Sequence, residues 1–180
     1  IGLTMVREDL ENLPDFDLPA PYSFRWHGPG DEETWVEIHR RADDYNEATP
    51  ELFYEQFGCD SSVRKRRQCF LLDGEDLPVG TATAWFDDDF EGERWGRVHW
   101  VAIVPQHQGK GLSKPLLARV CRRLRGLGHR RAYLTTQTVR LPAIGLYLKF
   151  GFRPHVQSPE QRRGWRLVRR RLEHPALMSV

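Results

Sequence analysis

Cysteine is scarce in this chain, and the three it has, Cys59, Cys69 and Cys121, are odd in number and widely spaced. That excludes a disulfide framework and the paired spacing of a zinc site, so a reducing cytoplasm is the expected setting. The three read instead as small buried hydrophobes. His107 and His129 stand in turns without partners at metal-ligand spacing, so no metal is assigned. Also missing is any run of about eighteen apolar residues, so no membrane span is expected. Ile1–Val6 lacks the basic start and the length of a signal segment. Acidic residues thin out along the chain. Residues 1–60 hold fifteen Asp and Glu against four Lys and Arg, a balance of −11, while the remaining 120 hold ten against twenty-three, or +13. Two readings stay open. The basic part meets a phosphorylated ligand or nucleic acid while the acids meet a cation, or the two parts complement each other within one fold.

What is present suits one globular domain with a sizeable core: 180 residues, 39% of them hydrophobic and 29% charged. Residues 1–20, with Pro14 and Pro19 among acids, read as an N-terminal arm, and residues 21–180 as a single domain. Tyr22–Trp26 alternates as a strand, and Asp31 is placed to cap a helix whose Trp35, Ile38, Ala42 and Tyr45 share a face. Thr49-Pro50-Glu51 starts a second helix, which stops at Gly58. Gln68–Asp73 and Val79–Phe86 form a hairpin signal, followed by an acidic loop over Asp87–Glu93. Arg131–Thr138 reads as a strand, Ala143–Phe150 as a short helix behind Pro142, and Phe152-Arg153-Pro154 and Gly164–Leu172 as closing strands. The order implies a mixed α/β architecture around one sheet.

The stretch that organises the chain runs from Val98 to Leu117. A β-branched and aromatic run is stopped by Pro105, two glycines sit in the polar turn Gln108-Gly109-Lys110-Gly111-Leu112-Ser113, and Leu112, Leu116, Leu117, Val120 and Leu124 then recur at helical period. A strand, a glycine turn and a helix start together aim unpartnered amides and the positive end of the helix dipole at an anion. Common nucleotide loops fail here. A P-loop needs glycine where Val104 stands and Ser or Thr where Gly111 stands. A dinucleotide fingerprint needs a third glycine where Lys114 stands, with an acid about twenty residues on.

The turn, the preceding Ile103-Val104-Pro105, and the downstream Ala143-x-x-Leu146-Tyr147-x-x-x-Gly151-Phe152 together resemble the GNAT superfamily of acyl-CoA-dependent N-acyltransferases over roughly residues 68–154. The resemblance implies a mixed, mostly antiparallel central sheet with helices on both faces. It implies acetyl-CoA as co-substrate, its pyrophosphate held by Gln108, Gly109, Lys110, Gly111, Leu112 and Ser113, with Lys114 adding charge. Pantetheine would run along main-chain groups of Val101 and Ile103, as an added strand does. Arg140 stands where members of the superfamily often carry Asn, and from there an arginine can reach a phosphate.

The resemblance also casts Tyr147 as the acid that protonates the departing thiolate. A phenol of pKa about 10 suits this, because a thiol near 8.5 takes its proton downhill. For the base that deprotonates the attacking amine, His99 is the leading candidate. By strict alternation it faces the same side as Val101, and with a pKa near 6.5 it accepts protons at neutral pH. Carboxylates of the acidic loop, Glu91 and Glu93 among them, and water are its rivals. The acceptor expected is a primary amine on a small molecule or peptide, attacking directly in a ternary complex, since neither signature holds a cysteine to form an acyl-enzyme. The alternatives are a non-catalytic acyl-CoA-binding regulatory module and an acyltransferase acting on a nucleic-acid-linked amine. The arginines at 162, 163, 166 and 169–171 lack regular aromatic interleaving, with Trp165 alone among them, and this disfavours nucleic acid. A homodimer is left open.

Overall fold

Turn and cap residues set where the elements begin and end. A computed structural model describes residues 1–180. The elements run β1 (Gly2–Arg7), β2 (Ser23–Trp26), α1 (Asp31–Ala42), α2 (Pro50–Phe57), α3 (Ser61–Arg67), β3 (Gln68–Leu72), β4 (Pro78–Phe90), β5 (Glu93–Ile103), α4 (Ser113–Gly126), β6 (Ala132–Gln137), α5 (Leu141–Lys149), β7 (Arg153–His155) and α6 (Pro159–Arg169). The strands form a seven-stranded sheet in the order β2-β3-β4-β5-β6-β1-β7, mixed and mostly antiparallel, with β5 and β6 parallel through Gly96–Ala132 and Arg97–Tyr133. This is the expected mixed α/β class. No helix is long and apolar enough to cross a membrane.

Contacts group the chain into two compact units. The first comprises Ile1–Pro14, Phe86–Arg97 and Leu124–Val180, and the second Asp15–Trp85 and Val98–Arg123. In the first unit, Phe90 stacks flat on Tyr133 at 3.9 Å and meets Trp95 edge-on at 5.2 Å, with Val6 in the same cluster. In the second, Trp35, Phe53, Phe57, Phe70, Leu71, Val104 and Leu112 belong to one buried core.

Several expectations need correction. The supposed N-terminal arm contains β1, an interior strand that pairs with β6 from Gly2–Gln137 to Arg7–Ala132 and with β7 on its other side. Its Leu3 and Met5 are fully buried, and that burial outweighs the fraying expected near a chain terminus. The acidic loop is instead a tight hairpin. Glu91 and Gly92 both have positive φ, 55° and 76°, as the two-residue turn matching strand twist requires, so β4 continues to Phe90. The strand expected at Gly164–Leu172 is replaced by α6, with Ser158 capping the Gln161 amide and Pro159 in the first turn. Its buried residues are Gly164, Trp165 and Val168, a helical spacing. The helix α3 was not foreseen; Asp60 caps it at the Ser62 amide. Asp31 opens α1 behind the left-handed Gly30 and accepts from the Gly28 amide at 2.6 Å and from Arg25 at 2.7 Å. Tyr45 lies beyond the end of α1 and is exposed.

The uneven charge is partly matched within the fold. Arg122 pairs with Asp15, Arg125 approaches Glu11 at 4.0 Å, and Arg131 approaches Glu8 at 3.9 Å. Such exposed pairs contribute little each. The arginines of α6 are exposed, whereas Trp165 is fully buried and so is no part of a stacking surface.

Candidate active site

The glycine turn lies in the second unit, between the end of β5 and the start of α4. Buried Val104 donates its amide to Val79 O at 2.9 Å, and Pro105 then opens one 3-10 turn, Pro105–His107. Tyr22 Oη and His107 Nδ1 are hydrogen-bonded at 2.9 Å. The side chain of Gln108 turns back, its Nε2 donating to Ile103 O at 2.7 Å, which ties the turn to the strand before it. Gly109 and Gly111 have φ of +74° and +78°, where an L side chain costs roughly 1–2 kcal/mol. A Cβ at either would meet no protein atom within 4 Å, so the space above the turn is open. Leu112, buried in the core, accepts the first helical hydrogen bond from the Leu116 amide and anchors α4. Gly109, Lys110, Gly111 and Lys114 are exposed and Ser113 half-buried. An open, glycine-bearing helix start flanked by two ammonium groups fits a pyrophosphate.

On the strand side, Val101 and Ile103 are half-buried. His99 is buried, and its Nε2 lies 2.9 Å from Gln56 Oε1; the next residue, Trp100, donates Nε1–H to that same oxygen at 3.1 Å. Two consecutive strand residues reach one atom because Trp100 has φ +51°. The alternation that would have aligned His99 with Val101 is therefore broken. A tryptophan in that region carries strain of order 1–3 kcal/mol, held in place by its surroundings. Trp100 meets Trp35 and His39 edge-on, each at 5.0 Å, and His99 meets Phe57 at 5.6 Å. Sequence reasoning did not single out Gln56 or Trp100. A polar residue on a helix forty-three positions from its partner leaves no local signal.

Tyr147 and Arg140 belong to the first unit. Arg140 takes the position before α5, its carbonyl accepting from the Ile144 amide at 3.0 Å. Tyr147 is buried in the second half of that helix. Its ring meets Phe152 at 6.2 Å, and its carbonyl accepts from the Phe152 amide at 3.1 Å, which folds the segment after Gly151 back on the helix end.

The rival carboxylates are engaged elsewhere in the first unit. Glu91 bonds His155 at 2.9 Å and Gln157 at 3.0 Å, contacts that hold its carboxyl below the usual range. Glu93 pairs with Arg131, Asp88 with Arg94 at 3.1 Å, and Asp87 accepts from Tyr133 at 2.7 Å. The Tyr133 bond first, then the Asp89 amide, keeps Asp87 ionised to lower pH. A depressed carboxylate is a weaker base toward an ammonium.

Comparison with known proteins bears on this geometry. A model of the acetyltransferase (GNAT) family matches residues 32–152. The chain is 32% identical over 92 residues to N-acetyltransferase 8B of Homo sapiens, covering 50% of this chain and 40% of that protein. It is 28% identical over 160 residues to the mycothiol acetyltransferase of Actinosynnema mirum, covering 83% of this chain and 51% of that protein. The chain thus spans about half the length, or less, of these curated relatives. A crystal structure of a GCN5-related N-acetyltransferase from Sphaerobacter thermophilus superposes with a TM-score of 0.71 at 20% identity, covering 86% of this chain and 48% of that one, a likeness of fold.

Proposed function

Because the chain belongs to the GNAT acetyltransferase family, we propose that it moves an acetyl group from acetyl-CoA to a primary amine of a small molecule or peptide, by direct attack in a ternary complex. The observation that carries this is the open turn with left-handed Gly109 and Gly111 at the head of α4. In this reading the amides from Gly109 to Ser113 hold the pyrophosphate, Lys110 and Lys114 add charge, and Gln108 braces the turn through Ile103 O. Arg140 adds a contact to a phosphate. Pantetheine runs along Val101 and Ile103.

The amine attacks the thioester carbonyl carbon once it has a free lone pair, and His99 takes the proton it loses. The carbon–sulfur bond then breaks, and Tyr147 protonates the thiolate. Both side chains return to their starting forms by exchange with solvent. A positioned base of this kind contributes about 10²–10⁴-fold. The free thiols of Cys59, Cys69 and Cys121 support a reducing, cytoplasmic setting.

The test is acetyl-CoA with a panel of primary amines, following thiol release, alongside calorimetric titration with coenzyme A. Thiol release that depends on the amine supports the reading. Coenzyme A binding without turnover on any amine favours a regulatory module, and no binding sinks both.

A further inference from the structure

We propose that Gln56 is a positioning residue: it holds His99 in the Nε2–H form, and so makes Nδ1 the atom that receives the proton of the attacking amine. This rests on the proposed role of His99 as base.

One atom is shared by two rings. Gln56 Oε1 lies 2.9 Å from His99 Nε2 and 3.1 Å from Trp100 Nε1. An indole N–H can only donate, so the amide atom facing it must be the oxygen; the amide nitrogen there would set two donors against each other. Trp100 therefore fixes which way the Gln56 amide points. A carboxamide oxygen can only accept, so His99 Nε2 must carry its hydrogen. In the neutral imidazole that leaves the lone pair on Nδ1.

The backbone makes this arrangement possible. Side chains at successive strand positions ordinarily point to opposite faces. The left-handed conformation of Trp100 puts its indole and the His99 imidazole on one amide instead. Gln56 is in turn held by the residue after it, since Phe57 is buried against Trp35 at 5.6 Å and touches His99 itself. The amide is a small, neutral, rigidly placed acceptor. It selects a tautomer without adding a charge beside the base.

In the reaction, the amine N–H bond breaks as the new N–C bond forms. The proton passes to His99 Nδ1, directly or through one water. The resulting imidazolium keeps its Nε2–H on Gln56 Oε1, so the ring stays in place through the transfer.

The experiment is long-range ¹H–¹⁵N correlation spectroscopy on protein labelled at histidine, recorded well above an imidazole pKa of about 6.5, with the His99 signals identified by their loss in His99→Asn. The expected result is the Nε2–H form in the wild type. Gln56→Glu, which is isosteric and presents an acceptor oxygen to both rings whichever way it turns, keeps that form. Gln56→Leu and Trp100→Phe give mixtures of both tautomers, the second because the amide is then free to turn over. Gln56→Leu also lowers kcat for amine acetylation about tenfold with an unchanged KM for acetyl-CoA, a part of what a general base supplies. An Nδ1–H form in the wild type, or an undiminished Nε2–H preference in Gln56→Leu, overturns the proposal. If amines are acetylated all the same, the proposed function survives that failure. If the Nε2–H form is present and no amine is acetylated, the catalytic role falls together with the function.

Discussion

Tyr133 donates its phenolic hydrogen to Asp87 at 2.7 Å, with Arg97 over its ring at 5.4 Å. The bond joins β6 to β4 inside the first unit and shifts both partners. It holds the Asp87 carboxyl low, while burial first and the Asp87 bond second push the Tyr133 phenol up. A depressed carboxyl contributes stability that is present above its unfolded pKa and lost as pH falls through the folded value. A raised phenol contributes stability that is present below its unfolded pKa, about 10, and lost as pH rises through the folded value. Tyr133→Phe should therefore lower stability by about 1–2 kcal/mol near neutral pH. The difference from wild type should shrink below pH about 4 and above pH about 10. Urea unfolding across that range checks it, and a difference that ignores pH would show the bond to be unimportant.

Gly111→Ala places a methyl group in the open space above the turn and forces an L residue to φ +78°. The strain, about 1–2 kcal/mol, falls on the turn, so coenzyme A should bind at least about tenfold more weakly. Calorimetric titration measures this, with circular dichroism confirming an unchanged fold. Undiminished binding would move the phosphate site elsewhere.

Tyr147→Phe removes one hydroxyl and leaves the ring in its contact with Phe152. If the phenol supplies the leaving-group proton, kcat should fall about 10²-fold or more, with little change in coenzyme A affinity. Steady-state rates of thiol release read this directly, and an undiminished kcat removes Tyr147 from the mechanism.

Burial pushes the Cys69 thiol up to about 12, while Cys59 is exposed and Cys121 buried. Because the thiolate is the reactive form, native protein at pH 8 should react with a disulfide reagent at one thiol, Cys59, and at three only after denaturation. Cys59→Ser should abolish the native signal, and with it the background in thiol-release assays. Rapid reaction of a second thiol in the native protein would contradict the buried assignment. Only Cys69 and Cys121 are the small buried hydrophobes expected of all three cysteines.

Much of the fold was legible because it rests on short-range chemistry. Thr49 caps the Leu52 amide ahead of Pro50, and Pro105 and the two glycines end β5 and open α4. The apolar period of α4 is visible in Leu112, Leu116, Leu117, Val120 and Leu124, all buried. The failures have physical causes as well. At Glu91-Gly92 a run of acids concealed a two-residue turn, and in α6 exposed arginines surrounding Trp165 obscured a helical period.

By itself, then, the sequence determined the strand, glycine turn and helix at residues 98–117, the helix bearing Tyr147 and the family these motifs mark, since each depends on backbone preferences within a few neighbouring residues. Tertiary structure decided the rest. It made the N-terminal segment an interior strand, because the hydrogen-bonding edges of β6 and β7 lie more than a hundred residues away in the chain. It also turned His99 and Trp100 onto Gln56, because packing against Trp35 and Phe57 sustains a backbone conformation that tryptophan would not adopt alone.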